Sequence, residues 1–394
     1  MRTALLFPAL TLTAAAAAPV FKATTVDDKI TIGYGLAIGD VDGDRKPDIL
    51  LADAKEIVWY KNPSWEKAVI AKNLTPRDNV CIAARDIDGD GKVEIAVGAQ
   101  WNPGETTNEA ESGAVFYLQR PDKDGEMWKP VTLPHEPTVH RMQWVRTGPK
   151  QFALIVLPLH GRGNVNNDGV NGSRIIAYSQ PGNPGDAAAW KQTVIDDTLH
   201  VTHNFDLRPR GEVDELIIAS KEALLSAEPD GAGWETHRLT ISDSGNPLPF
   251  AGAGEIRFGA GEARTGRGAF PIACIEPFHG PNLTLFTLGP DMHTWQRRVL
   301  DNSFNQGHAL ACANVLGLER EQIIAGWREP NAAKQFGIKI YHEEAGAWKS
   351  DWVCEPNSMA CEDLKLADLD DDGCPEIIAA GRSTKNVVIY KLQP

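Results

Sequence analysis

Asp40-Val41-Asp42-Gly43-Asp44-Arg45-Lys46-Pro47-Asp48, followed by Ile49-Leu50-Leu51, recurs twice in this chain. The copies are Asp86-Ile87-Asp88-Gly89-Asp90 with Glu94, followed by Ile95-Ala96-Val97, and Asp368-Leu369-Asp370-Asp371-Asp372 with Glu376, followed by Ile377-Ile378-Ala379. Each places carboxylates at relative positions 1, 3, 5 and 9. Four like charges in nine residues repel one another unless a cation lies among them, and oxygen-only donors on a tight turn suit Ca2+. The expected calcium ligands are therefore Asp40, Asp42, Asp44 and Asp48; Asp86, Asp88, Asp90 and Glu94; and Asp368, Asp370, Asp372 and Glu376, for up to three ions. Solvated acidic turns are the alternative, which the regular spacing disfavours. No Glu stands at the twelfth position and the flanks are β-like, so the turns staple strands rather than sense calcium.

Aligning the chain on these turns yields a repeated unit of four short strands. The first unit has strands at 35–38, 48–52, 57–60 and 67–70, and the second at 80–84, 94–98, 114–118 and 129–133. Degenerate copies follow without the acidic turn: 142–145, 152–157, 174–178 and 191–195; 204–207, 215–219, 223–226 and 235–239; 255–258, 271–275, 282–287 and 296–300; 310–313, 322–325, 337–341 and 349–354. The seventh unit, 364–367, 376–380 and 387–390, ends one strand short, and residues 21–26 can supply the missing strand. No segment reads as a sustained helix. The expected fold is all-β, a seven-bladed β-propeller closed by an N-terminal strand, occupying residues 19–394 as one domain.

Residues 1–18 read as a secretory signal, with Arg2, an apolar stretch from Ala4 and small residues Ala14 and Ala18. The expectation is a secreted or periplasmic protein. No later segment approaches the roughly 18 apolar residues that span a bilayer. A net charge of −14 and a pI near 5.2 argue against nucleic acid and anionic membrane surfaces as partners, since both need a basic face. Among the six cysteines, only Cys354 and Cys361 flank one short connection and make a plausible disulfide; Cys81 and Cys312 read as buried thiols.

In a propeller the turns between first and second strands lie on one face. The connections entering each first strand, and the loops between second and third strands, lie on the other. The acidic turns thus decorate one face, and the opposite face collects unusual residues: Tyr34, Arg77-Asp78-Asn79, His140-Arg141, His203-Asn204, His308 and Glu362-Asp363 at first-strand entries. Second-to-third loops add His160-Gly161-Arg162, Lys221, Glu276-Pro277-Phe278-His279, Trp327-Arg328-Glu329 and Arg382. Three of the 10 histidines fall at one structural position, and convergent imidazoles are a metal-ligand or acid/base set. His140, His203 and His308 are the expected ligands of a central divalent ion and, with His160 and Tyr34, the expected catalytic group. Arg77, Arg141, Arg162, Arg328 and His279 are the expected substrate-binding groups, with Trp101 and Trp327 stacking on a sugar ring. His200, His237, His293 and His342 read as structural. Trp59, Trp65, Trp128, Trp190, Trp234, Trp295, Trp348 and Trp352 read as packing between blades.

The Asp-x-Asp-Gly-Asp turns followed by Pro-Asp-Ile-Leu or Val-Glu-Ile-Ala resemble FG-GAP/VCBS-type propeller repeats across all units. More narrowly, Leu157-Pro158-Leu159-His160-Gly161-Arg162-Gly163-Asn164 and the central histidines resemble the propeller domain of aldos-2-ulose dehydratase and its bacterial relatives. The resemblance implies a carbon–oxygen lyase that performs metal-assisted β-elimination on a keto-sugar or keto-glycoside. The sequence departs from that family in that no appended cupin or lectin-like domain is expected. Two other readings fit the same residues: a uronate polysaccharide lyase, and a non-catalytic calcium-dependent propeller that binds carbohydrate or protein.

Overall fold

The computed structural model describes residues 18–394 apart from 124, 166–168, 232, 244–248, 260–270 and 319; the expected signal segment lies outside the described residues but for Ala18. Seven antiparallel sheets follow one another along the chain. Blade 1 is Gly35–Gly39, Asp48–Ala52, Glu56–Lys61 and Glu66–Lys72, and blade 2 is Cys81–Arg85, Glu94–Ala99, Ala114–Gln119 and Lys129–Leu133. Blade 3 is Val139–Gly148, Gln151–Pro158, Ile175–Ser179 and Lys191–Asp196, and blade 4 is Thr202–Arg210, Val213–Ser220, Leu224–Asp230 and Gly233–Arg238. Blade 5 has Glu255–Phe258, Ile272–Glu276, Asn282–Leu288 and Thr294–Asp301, and blade 6 has Gly307–Ala313, Gln322–Trp327, Gly337–Glu344 and Ala347–Trp352. Blade 7 combines Cys361–Ala367, Glu376–Gly381 and Val387–Leu392 with Phe21–Asp27 from the start of the described chain, which pairs from Phe21↔Leu392 to Asp27↔Val387. The first strands of successive blades touch in a closed ring. This is the seven-bladed propeller that the repeats imply.

Two details were not expected. Blade 5 carries a fifth strand, Thr240–Ser242, that runs parallel to Thr294–Asp301. All six cysteines, Cys354 and Cys361 included, are free thiols.

Second strands are buried on both faces and so read as continuous apolar runs. Alternate residues serve opposite neighbours. Leu50 packs with Ile82, Ile95 and Trp128 between blades 1 and 2. Its neighbours Ile49 and Leu51 pack with Ile378, Ala380 and Ile389 between blades 7 and 1. Every blade interface has such a cluster, seven in all, so the core is a ring of joints rather than a single centre. Leu50 and Ile95 are fully buried, and each contributes about 1.5–3 kcal/mol by leaving water.

Candidate active site

The strand entries that aim the site residues are irregular. In blades 3, 4, 6 and 7 the ladder between first and second strands shifts register across Val139/Arg141, Thr202/Phe205, Gly307/Ala309 and Cys361/Asp363. The residues inside these shifts are His140, His203 with Asn204, His308 and Glu362. A bulge re-aims a side chain that regular pairing would direct into the sheet. Four blades therefore use the same device to bring polar side chains together at one mouth of the channel.

The bulged histidines share one bonding pattern. His140 Nδ1 donates to His203 O at 2.8 Å, His203 Nδ1 faces Gly254 O at 3.2 Å, and His308 Nδ1 donates to Glu362 O at 2.6 Å. Each acceptor lies in the following blade. The bonds fix the tautomer, leaving each Nε2 as a lone pair; a carbonyl or carboxylate behind a histidine is the usual partner of a metal-binding imidazole. Glu255 adds a carboxylate 3.3 Å behind His203 Nδ1, while its other oxygen accepts from Asn204 at 2.6 Å.

His279 arrives from the loop after Ile272–Glu276 and stands between two of these rings. Its Nε2 is 2.7 Å from His203 Nε2, and its ring centroid is 4.7 Å from that of His308. Gly254 allows the approach, because a Cβ there would lie 2.4 Å from Phe278 O. Below the loop, Glu276 and Arg297 form a buried ion pair at 2.6 Å, with Thr284 on the remaining oxygen.

His203, His279 and His308 converge with donor atoms within 4.8 Å of one another. This trio differs by one member from the expected set. His140 is next to it, its ring 4.5 Å from that of His203, but Arg141 covers its Nε2 at 3.1 Å and takes it out of the ligand group. His279, expected to contact substrate, takes its place. Burial lowers the pKa of all four imidazoles, and neighbouring cations, chiefly Arg141 at His140 and Arg328 at His308, push in the same direction; His279 falls to about 2. They are neutral at ordinary pH. Glu255 is ionised: burial opposes its charge, but the adjoining His203 ring N–H and the charges of Arg257 and Arg141 hold its carboxyl at about 2. With His203 neutral and its Nδ1–H turned to Gly254 O, the 3.3 Å contact sets a charge against a dipole and is not an ion pair.

The donor set suits a borderline divalent cation such as zinc, because neutral imidazoles are its preferred ligands, and two of the three have Nδ1 committed to a carbonyl. Two imidazole nitrogens 2.7 Å apart need a proton or a cation between their lone pairs.

The other expected residues divide into two groups. Arg141 and Arg328 are near enough to the trio for their charges to act on it, whereas Tyr34 stands against Asp78 and Arg382. Trp101 is half-buried with its ring 5.0 Å from His140, and Arg328 binds Glu362 at 2.6 Å. Arg141 forms no ion pair with a carboxylate among the described residues and is half-buried at the head of a channel cavity of about 360 Å³, lined deeper by Gln143, Asp206, Arg257 and Lys365. His160 is buried, its backbone bridged to Val201 two residues before His203, and its Nδ1 has no hydrogen-bond partner. Arg77 is exposed. Arg162 is engaged by Glu136 at 2.9 Å and Glu109 at 3.0 Å, so its charge is already matched.

Two expectations need correction. Trp327 is fully buried, stacked on Phe304 at 4.9 Å with its Nε1 donating to Gln335 O, and cannot meet a sugar. Tyr34 is not an ionised base. Burial and then Asp78, whose carboxylate is 3.3 Å away, raise its pKa to about 12, so the hydroxyl keeps its proton.

On the opposite face, carboxylates gather as Asp40/Asp42/Asp48, Asp86/Asp88/Asp90 and Asp368/Asp370/Glu376. Asp44, Glu94 and Asp372 stay out of these groups and accept backbone N–H bonds, from Lys46, Ile87 and Cys374 respectively.

The family described as aldos-2-ulose dehydratase, beta-propeller domain, matches residues 112–288. Two FG-GAP repeat families match residues 40–97 and 82–118. Aldos-2-ulose dehydratase of Phanerodontia chrysosporium is 26% identical over 338 residues, which is 79% of this chain and 36% of that protein, so the chain spans about a third of the relative's length. Among solved structures, a chain of the mitotic checkpoint complex superposes with TM-score 0.57 at 11% identity, covering 100% of this chain and 99% of that one. A chain from the complex of BBS1N with ARL6DN gives 0.54 at 12% identity, covering 96% and 98%. These two likenesses show the fold alone. The chain carries FG-GAP repeats on a seven-bladed β-propeller, and that propeller is similar to the propeller domain of aldos-2-ulose dehydratase.

Proposed function

We propose that this protein is a carbohydrate lyase that eliminates a β-hydroxyl or glycosidic oxygen from a keto-sugar or keto-glycoside at the channel mouth. The trio His203, His279 and His308, with Glu255 behind it, carries this reading, because recognition alone rarely needs three convergent neutral imidazoles, two of them buried and the third half-buried. The relation to a sugar dehydratase propeller supports the substrate class.

The trio would hold a divalent cation, which, when bound, withdraws electron density from a sugar carbonyl oxygen and acidifies the adjacent C–H. The chain's own groups do the rest. His160, kept neutral by burial and unpartnered at Nδ1, is the base for the proton on the carbon next to the carbonyl. The electron pair of that C–H bond becomes the C=C bond as the β C–O bond breaks. Tyr34, holding its proton, donates to the departing oxygen, so its part is the acid rather than the base. Arg141, without a carboxylate partner among the described residues, stabilises negative charge on the substrate oxygen. Trp101 offers a ring face for stacking.

Arg141 also favours a second reading, a uronate as the substrate, in which a carboxylate rather than a ketone accepts the charge. Ultraviolet monitoring of enone formation from 3-keto-glycosides and anhydrofructose, and of unsaturated uronate from polyuronides, separates the two. Enone absorbance that disappears in His279→Ala and His308→Ala supports the keto-sugar lyase. Absorbance from polyuronides alone moves the assignment to the uronate. No turnover of either, with carbohydrate retained on the wild-type protein, makes it a binding propeller.

A further inference from the structure

His279 is held differently from the two imidazoles it meets. His203 and His308 each direct Nδ1 to a backbone carbonyl of the following blade, Gly254 O at 3.2 Å and Glu362 O at 2.6 Å, and that bond fixes the ring. Among the described residues no such bond reaches His279 Nδ1, and its one hydrogen-bond contact is Nε2 with His203 Nε2 at 2.7 Å. The place of the His279 ring is therefore set by the backbone that carries it.

That backbone is the tight turn between the second and third strands of blade 5. Phe278 has φ 45°, a left-handed conformation that is costly for a bulky residue and persists only where the surroundings over-determine it. A Cβ at Gly254 would lie 2.4 Å from Phe278 O, and one at Gly280 would lie 2.2 Å from Glu276 O, so the turn is closely packed against its neighbours. Phe278 also sets its ring edge-on to His203, with centroids 6.1 Å apart.

The turn springs from Glu276, whose carboxylate is held at both oxygens. One accepts from Thr284 at 2.9 Å, and the other accepts from Arg297 Nε at 2.8 Å and lies 2.6 Å from its Nη2. Both side chains of the pair are 1% exposed. Arg297 reaches inward from the fourth strand, and Asp243, directly after the added strand Thr240–Ser242, meets its Nη1 at 3.3 Å. Burying two charges gains little stability over apolar side chains of similar volume. What the pair supplies is direction, because a planar guanidinium accepts a carboxylate in few geometries.

We propose that Arg297 is a positioning residue that, through Glu276, seats the turn carrying His279 against His203, with the fifth strand of blade 5 bracing it from outside. The inference rests on the reading of the three imidazoles as one site.

The test uses the full chain with Glu276→Met/Arg297→Met, which removes both charges at similar volume, and with Arg297→Lys, which keeps the charge and loses the fork. Ile217→Ala, in the cluster between blades 4 and 5, is the stability control. Crystal structures of the metal-free proteins decide the matter: the double variant is expected to lose the contact between His279 and His203, and Ile217→Ala to keep it. Zinc affinity, read by chelator competition, should fall at least about tenfold in the double variant and stay unchanged in the control even where the control melts lower. Should the double variant fail to fold, Arg297→Lys is read in its place, with the same expected loss. The 2.7 Å contact retained in the folded variant would overturn the inference. A wild type that binds no zinc would count against the trio as a metal site alone, since the contact is read without metal.

Discussion

The two faces of the propeller gather like groups by opposite means. On the histidine face three imidazoles and two carboxylates are sunk almost out of water with His279 half-buried among them, and the imidazoles stay neutral because burial and Arg141 and Arg328 disfavour their protonation. On the acidic face the turns remain largely exposed, and their charges are met by backbone N–H groups and, in two of three turns, by a lysine. The first arrangement holds lone pairs ready for a ligand or proton. The second holds turns in shape. What differs is desolvation, which makes a cluster reactive when it is complete and merely structural when water still screens it.

Selective chelation is the sharpest way to break this contrast. Removing the histidine-bound cation should abolish turnover with a small change in melting temperature, whereas a calcium-selective chelator should lower the melting temperature and leave turnover. His279→Ala or His308→Ala should reduce turnover by more than about 100-fold, since even the residues behind metal ligands are worth about 10–100-fold. Steady-state rates on the active sugar check this. Glu255→Gln should weaken metal affinity by about 10–100-fold, read by chelator competition, while the fold persists through the inter-blade clusters.

Acid should separate the faces next. The buried histidines have folded pKa values below the unfolded value near 6.5, so the metal-free protein binds more protons unfolded and loses stability as pH falls below about 6.5. Glu94 acts in the opposite sense. Burial and the surrounding Asp88, Asp90 and Asp86 raise its carboxyl to about 7, so its contribution is full below the unfolded value near 4.5 and fades as pH rises through 7. Thermal unfolding from pH 5 to 8, with and without Gln at position 94, resolves the two slopes. The smallest expected effect is Trp101→Ala, a loss of about 0.5–1.5 kcal/mol of stacking seen as a raised KM. Trp327→Phe should lower stability with KM unchanged.

Much of this architecture was legible because the acidic turns set the frame. Once aligned on them, Ile49 to Leu51, Ile95 to Val97 and Ile377 to Ala379 fall on equivalent buried strands, and His140, His203 and His308 fall on equivalent entries. What was hidden depended on local departures from that period. The bulges that turn His203 and His308 to the channel mouth leave no periodic trace. His279 reaches the trio from another level of the blade, through a loop whose approach requires Gly254. Glu255 gives no signal of its own, because a single acid at a strand start looks like any other solvated turn residue. Trp327 looked available because it ends a second strand, yet Phe304 and Gln335 enclose it. The proton on Tyr34 depends on burial, which no spacing reveals.

The most direct test of the account is X-ray absorption spectroscopy of the purified protein loaded with one equivalent of zinc. The account predicts about three imidazole nitrogens at 2.0–2.1 Å from the metal, falling by one in His279→Ala and unchanged in number in His140→Ala. A metal shell of oxygen alone, or loss of an imidazole in His140→Ala with His279→Ala unaffected, would contradict it.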